Sequence, residues 1–99
     1  MLDKNQITGL ILAGGRGTRM SSEAGDIPKP LVAVGGRPIL EHIIEIHASQ
    51  GFRDFLLALG YLGGMIEAHF TPGVIERCGA RTVTCVDTVA KKASFIRQV

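Results

Sequence analysis

Two clusters of residues in this chain have the types and spacing to handle phosphate. The first is Gly14-Gly15-Arg16-Gly17-Thr18-Arg19, and the second, further along, is Pro28-Lys29-Pro30. Glycines let a backbone approach an anion closely and aim several N–H groups at it. Arginine adds bidentate charge-assisted hydrogen bonds, and lysine a compact point charge. Such a set could bind a polyphosphate and stabilise charge that moves off it. Neither common nucleotide fingerprint is satisfied: Met20 stands where GxGxxG needs its third glycine, and no GxxxxGK[ST] occurs. Glycine-rich turns after strands are common, so the first cluster alone also fits an ordinary solvated loop.

A site of this kind needs elements to hold it. Ile7 to Ala13 is almost continuously apolar and runs into glycine, which at this length predicts a strand buried on both faces of a parallel sheet. Gly14 to Ile27 reads as a loop. Pro28 and Pro30 exclude regular helix and bias Lys29 toward an extended backbone, which holds its Cα in place. Leu31 to Val34 reads as a short extended piece, and Gly35-Gly36 turns the chain into an amphipathic helix from Pro38 to Gly51. Ile39, Leu40, Ile43, Ile44 and His47 share one face of that helix, with Glu41, His42, Glu45 and Ser49 mostly opposite. Phe55 to Leu59 reads as a second strand. Strand, loop, helix, strand is a βαβ unit with a right-handed crossover, so the fold class is α/β. A second helix is expected over Met65 to Phe70, ending before Pro72, then a third strand over Thr82 to Val86 and a tail of mixed character.

Composition sets the bounds. The 99 residues, 45% hydrophobic, make one small domain at most. Eleven Lys and Arg against nine Asp and Glu give a formal charge of +2, too near balance to argue for nucleic acid or membrane as a partner. Cys78 and Cys85 lie in no ligand spacing and read as reduced thiols, and His42, His47 and His69 show no metal-ligand pattern, so no metal site is expected from the residues themselves. Asp26 reads as a loop cap and Lys91-Lys92 as a solvated pair. No basic leader precedes a long apolar core, and no apolar run nears the roughly 20 residues that span a bilayer, so a cytoplasmic protein is expected.

The order of the motifs adds more. LAGGRGTRM followed by PKPLVAVGGRPIL resembles the N-terminal signature of the sugar-1-phosphate nucleotidyltransferases, the NDP-sugar pyrophosphorylases. The resemblance continues through Gly51-Phe52-Arg53-Asp54-Phe55, Gly60-Tyr61-Leu62-Gly63, Ile66-Glu67-Ala68-His69-Phe70 and Val83-Thr84-Cys85-Val86-Asp87-Thr88. It covers residues 7–88 and is most similar to the glucose-1-phosphate cytidylyltransferase branch. It implies a Rossmann-like three-layer sandwich with a mainly parallel sheet, of which residues 1–99 form a single, incomplete NTP-binding domain, the N-terminal half.

The reaction it implies is attack of a sugar-1-phosphate oxygen on the α-phosphorus of an NTP, here CTP and glucose 1-phosphate, with magnesium. Leu12, Ala13, Gly14 and Gly15 would cradle the base and ribose, while Gly17, Thr18 and Arg19, with Arg16 nearby, would hold the triphosphate. Arg19 and Lys29 would be catalytic, the first stabilising the departing pyrophosphate and the second bridging the α-phosphate and the sugar phosphate. Family domains are more than twice this length, their magnesium-binding Gly-Asp-Gly turn has no counterpart here, and Thr88 leads into Val-Ala-Lys-Lys where the family has Thr-Gly-Gly. The expectation is therefore a truncated form that binds nucleotide, turns over little and self-associates through an open edge at the first strand. The alternatives are a mannose- or heptose-1-phosphate guanylyltransferase, a non-catalytic nucleotide-binding module, and a purely structural α/β piece.

Overall fold

The structure, a computed structural model, describes residues 3–13, 19–22, 25–60, 62–87 and 92–97. After a 3-10 turn over Lys4–Gln6 come β1 (Thr8–Leu12), β2 (Arg19–Ser22), β3 (Gly25–Pro28) and a second 3-10 turn over Lys29–Leu31. Then follow β4 (Ala33–Val34), β5 (Arg37–Pro38), α1 (Ile39–Ser49), β6 (Asp54–Leu59), α2 (Gly63–His69), α3 (Pro72–Arg77), β7 (Thr82–Asp87) and β8 (Lys92–Arg97). The main sheet has the order β1-β6-β7-β8; its first three strands are parallel and β8 runs antiparallel to β7. This is the expected Rossmann-like α/β architecture.

One face of the sheet carries the core. The register sets Ile11 beside Leu57 and Leu57 beside Cys85, and residues two apart on each strand share that face. Phe55, Leu57, Leu59, Val83 and Cys85 are buried there with Leu40, Ile44 and Ala48 of α1, Ile66 of α2 and Ile75 of α3. Both crossovers step the same way along the sheet, so right-handed connections deliver all three helices to one side. On the other face Leu10 is 62% exposed and Leu12 79% exposed. The first strand is thus half-buried rather than buried on both faces: among the described residues it pairs with β6 alone, and no helix covers its outer face.

Four local expectations differ from what forms. Residues read as a loop before Pro28 contain the antiparallel hairpin β2–β3, with Arg19 opposite Pro28. Lys29 opens a 3-10 turn instead of extending, because Pro28 takes the extended conformation (φ −63°, ψ 139°) and Pro30 sits in the first turn, where its missing N–H is not needed. Pro72 not only ends one helix but starts the next: α3 begins with Pro72, capped by the Thr71 hydroxyl, which accepts the Val74 N–H at 3.3 Å. The tail supplies β8, where pairing with β7 provides what local pattern does not.

Other expectations hold. Gly35 and Gly36 both take positive φ, 62° and 82°, as a two-residue type I′ hairpin turn between β4 and β5 demands. Cys78 and Cys85 are free and buried, and burial pushes the Cys85 thiol up to about 11, which keeps it protonated and inert. At the start of β6 and β7, Asp54 accepts hydrogen bonds from Arg81 and from the Thr82 hydroxyl (2.7 Å), which ties the two strand ends together.

Gly63 marks a close approach between the start of α2 and the end of β6. A Cβ there would lie 2.8 Å from the Leu59 Cβ, closer than such atoms come. Alanine is intrinsically the better helix residue by about 1 kcal/mol, but overpacking costs about 1–3 kcal/mol. The clash should win: Gly63→Ala is expected to lower the urea midpoint, and an unchanged or higher midpoint would show that Leu59 yields freely.

Candidate functional site

The carboxyl end of β1 and the Lys29 turn meet. Ala13 leaves the sheet with its N–H donating to the Ala58 carbonyl at 2.9 Å and is buried, whereas Leu12 faces solvent. A concavity of about 220 Å³ is lined by Leu12 and Ala13 on one side, Lys29 and Pro30 on another, and Ile39, Leu40 and Ile43 of α1 at its base. Its position, just beyond the carboxyl end of a parallel strand, is where open α/β sheets take their ligands. Lys29 is exposed, so its charge stands at the mouth of an otherwise apolar hollow.

The β2–β3 hairpin contributes a juxtaposition that a loop would not. Because Arg19 pairs with Pro28, the two cationic positions expected to act together, Arg19 and Lys29, come from neighbouring backbone at one end of the hairpin. Gly14, Gly15, Arg16, Gly17 and Thr18 lie outside the described residues. Of the expected set, the structure therefore gathers Leu12, Ala13 and Lys29 around one hollow and brings the Arg19 backbone alongside. Among the described residues no group of three or more His, Cys, Asp or Glu side chains could hold a metal ion.

A second constellation stands behind the first. Glu41, read from the sequence as part of the polar helix face, is fully buried. Its carboxylate accepts hydrogen bonds from Arg37 Nε at 3.1 Å, from Arg77 Nη2 at 2.8 Å, and from His69 Nε2. Arg37 also reaches Glu45 at 2.7 Å. Burial alone would push the Glu41 pKa up; the bonds from His69, Arg77 and Arg37 outweigh it and hold the carboxyl below the usual glutamate range. The helix face that goes inward is Leu40, Glu41, Ile44 and Ala48, while Ile43 is half-buried and His47 exposed. At 100° per residue that is a rotation of roughly 80° from the face that apolarity predicts. The available sequence signal was the i,i+4 pair Arg37 and Glu41.

Fold and site together describe a Rossmann-like domain with a crevice at the end of its first strand. The chain belongs to the MobA-like NTP transferase domain family, whose model matches residues 9–93. Over 61 residues, 62% of this chain, it is 52% identical to a probable glucose-1-phosphate cytidylyltransferase of Bacillus subtilis. Over the same length it is 41% identical to the D-glycero-alpha-D-manno-heptose 1-phosphate guanylyltransferase of Campylobacter jejuni. These matches span 24% and 28% of the two relatives. The solved structure of HddC from Yersinia pseudotuberculosis complexed with GMP-PN aligns with a TM-score of 0.53 and 29% identity over 81% of this chain and 46% of that one.

Proposed function

We propose that this chain forms the nucleotide end of a sugar-1-phosphate nucleotidyltransferase site, with CTP as the nucleotide and glucose 1-phosphate as the acceptor. The observation that carries the reading is the 52% identity over 61 residues to a probable glucose-1-phosphate cytidylyltransferase, beside a concavity that Leu12, Ala13 and Lys29 line. In the reaction an oxygen of the sugar phosphate bonds to the α-phosphorus, the α–β anhydride bond breaks, and pyrophosphate leaves with the electron pair. The sugar phosphate is itself the nucleophile, so the protein's work is alignment and charge neutralisation. In this reading Leu12, Ala13, Gly14 and Gly15 hold base and ribose; Arg16, Gly17, Thr18 and Arg19 hold the phosphates; Arg19 and Lys29 act on the transferred and leaving groups.

Magnesium belongs to this reading as a charge partner of the triphosphate oxygens. The guanylyl-transferring alternative is supported by the Campylobacter relative and by HddC, named with GMP-PN. A module that binds nucleotide without catalysis stands beside it. We place the protein in the cytoplasm, with NTP and sugar 1-phosphate as its small-molecule partners and no nucleic acid or membrane; among the described residues no helix is long and apolar enough to cross a membrane. Self-association through the edge at β1 belongs to the same reading.

Calorimetric titration with CTP and with GTP tests it. CTP is expected to bind more tightly than GTP, and Lys29→Ala to weaken CTP about tenfold to a hundredfold, as the loss of a hydrogen bond to a charged group of about 1.5–3 kcal/mol requires. Tighter binding of GTP would favour the guanylyl reading. No binding of either, or a Lys29→Ala variant that binds CTP like the parent, would sink the assignment. Magnesium-dependent pyrophosphate release from CTP and glucose 1-phosphate would separate an enzyme from a binding module.

A further inference from the structure

We infer that Glu41 is a positioning residue for Lys29: its buried carboxylate fixes the first turn of α1, and that turn carries the Lys29–Leu31 segment. The inference rests on the reading of Lys29 as a nucleotide ligand. The linkage can be followed bond by bond. The Lys29 carbonyl accepts the Val32 N–H at 3.1 Å, and the Val32 carbonyl accepts the N–H of Ile39, the first residue of α1, at 3.0 Å. Ile39 and Leu40 then line the same hollow as Lys29. The next residue is Glu41, held at once by Arg37 of β5, His69 at the end of α2 and Arg77 at the end of α3. The start of α1 cannot shift against α2 and α3 without taking hydrogen bonds from a carboxylate that water does not reach.

Stability alone does not account for such a group. Leu40, Ile44 and Ala48 make that face of α1 apolar, and buried ion clusters replaced by apolar residues of similar volume are often neutral or gain stability. Apolar residues at positions 37, 41, 69 and 77 together would keep the burial and lose the directional bonds. What Glu41 adds is one fixed orientation of the helix start, and the Lys29 turn is mounted on that start.

The test uses the full chain with two readouts: hydrogen exchange at the Val32 and Ile39 amides by NMR, and CTP affinity by calorimetry. Glu41→Gln keeps size and removes the charge. Asp54→Asn is the control, since it breaks a separate ion pair at the start of β6. Glu41→Gln is expected to speed exchange at Val32 and Ile39 about tenfold relative to Leu57 and Val83, and to weaken CTP about tenfold. Asp54→Asn should lower the melting temperature with neither effect. Uniform acceleration across all amides in Glu41→Gln, or a matching loss of CTP affinity in Asp54→Asn, would overturn the inference. Should Glu41→Gln fail to fold, Arg77→Gln, which removes a half-exposed arm of the same cluster, decides by the same two readouts. If the parent chain binds no CTP, the nucleotide reading falls, and the exchange ratio by itself still upholds or overturns the mechanical link.

Discussion

On acidification the chain is expected to keep its stability down to about pH 4.5 and then lose it, with the first loss traced to Glu41. The ordinary glutamate value is 4.5, and the folded protein holds Glu41 below it through His69, Arg77 and Arg37 despite the opposing effect of burial. A carboxyl depressed by folding contributes stability that is complete above its unfolded value and disappears as pH falls through its folded value. Asp54, depressed mainly by Arg81 and secondarily by Thr82, adds a second loss that begins below the ordinary aspartate value of 3.8. Protonating Glu41 leaves three basic side chains around a neutral carboxyl. Breaking one partner out of a buried pair costs about 3–5 kcal/mol, and since Arg77 can turn into water the lower end applies here. Small domains have about 5–15 kcal/mol in total, so that loss should unfold much of the population. Urea midpoints measured from pH 7 to pH 3 check this against Glu41→Leu, which removes the same partner permanently and should therefore already be low at pH 7 and flat between 4.5 and 3.8. Parallel curves for the two proteins would assign the acid limb elsewhere.

The sequence made the alternation of strand and helix readable, because continuous apolar runs such as Phe55 to Leu59 and punctuation such as Gly35-Gly36, Pro38 and Gly51 are local signals with local causes. The parallel pairing of β1 with β6 followed from the strand-loop-helix-strand order of a βαβ unit. What escaped was set by distant partners. Glu41 looks solvent-facing until Arg77 and His69, far along the chain, arrive to neutralise it. The hairpin β2–β3 has few apolar residues of its own, and β8 is strand because β7 is beside it. For the site, residue type alone carried the expectation for Lys29 and its neighbours, and the structure adds that Leu12, Ala13 and Lys29 line one hollow. The device that holds that hollow in shape was not, since it is built from a residue whose one-dimensional pattern points the wrong way.

The chain is expected to self-associate through β1, and Leu10→Lys to keep it monomeric without altering its fold. β1 reads Thr-Gly-Leu-Ile-Leu, with no charge and no proline, and among the described residues only one of its edges is paired. A long apolar edge without such blocking residues is a template for another strand. A symmetric antiparallel pair centred on Leu10 would set Leu10 against Leu10 and Leu12 against Thr8 of the other copy, flanking side chains that now stand 62% and 79% exposed. A leucine fully buried contributes about 1.5–3 kcal/mol, and the pair covers only the flanks of four, so the gain stays below roughly 6–12 kcal/mol before any edge hydrogen bonds. Lost translational and rotational freedom takes back about 4–15 kcal/mol, which leaves weak association rather than a permanent dimer. Lysine at position 10 would set like charges directly opposite each other at the centre of that pair, while in the monomer it would only replace an exposed side chain. Sedimentation velocity over a range of concentrations should therefore show a rising coefficient for the parent and a constant one for Leu10→Lys, with matching circular dichroism. A parent chain that stays monomeric throughout would refute pairing through β1.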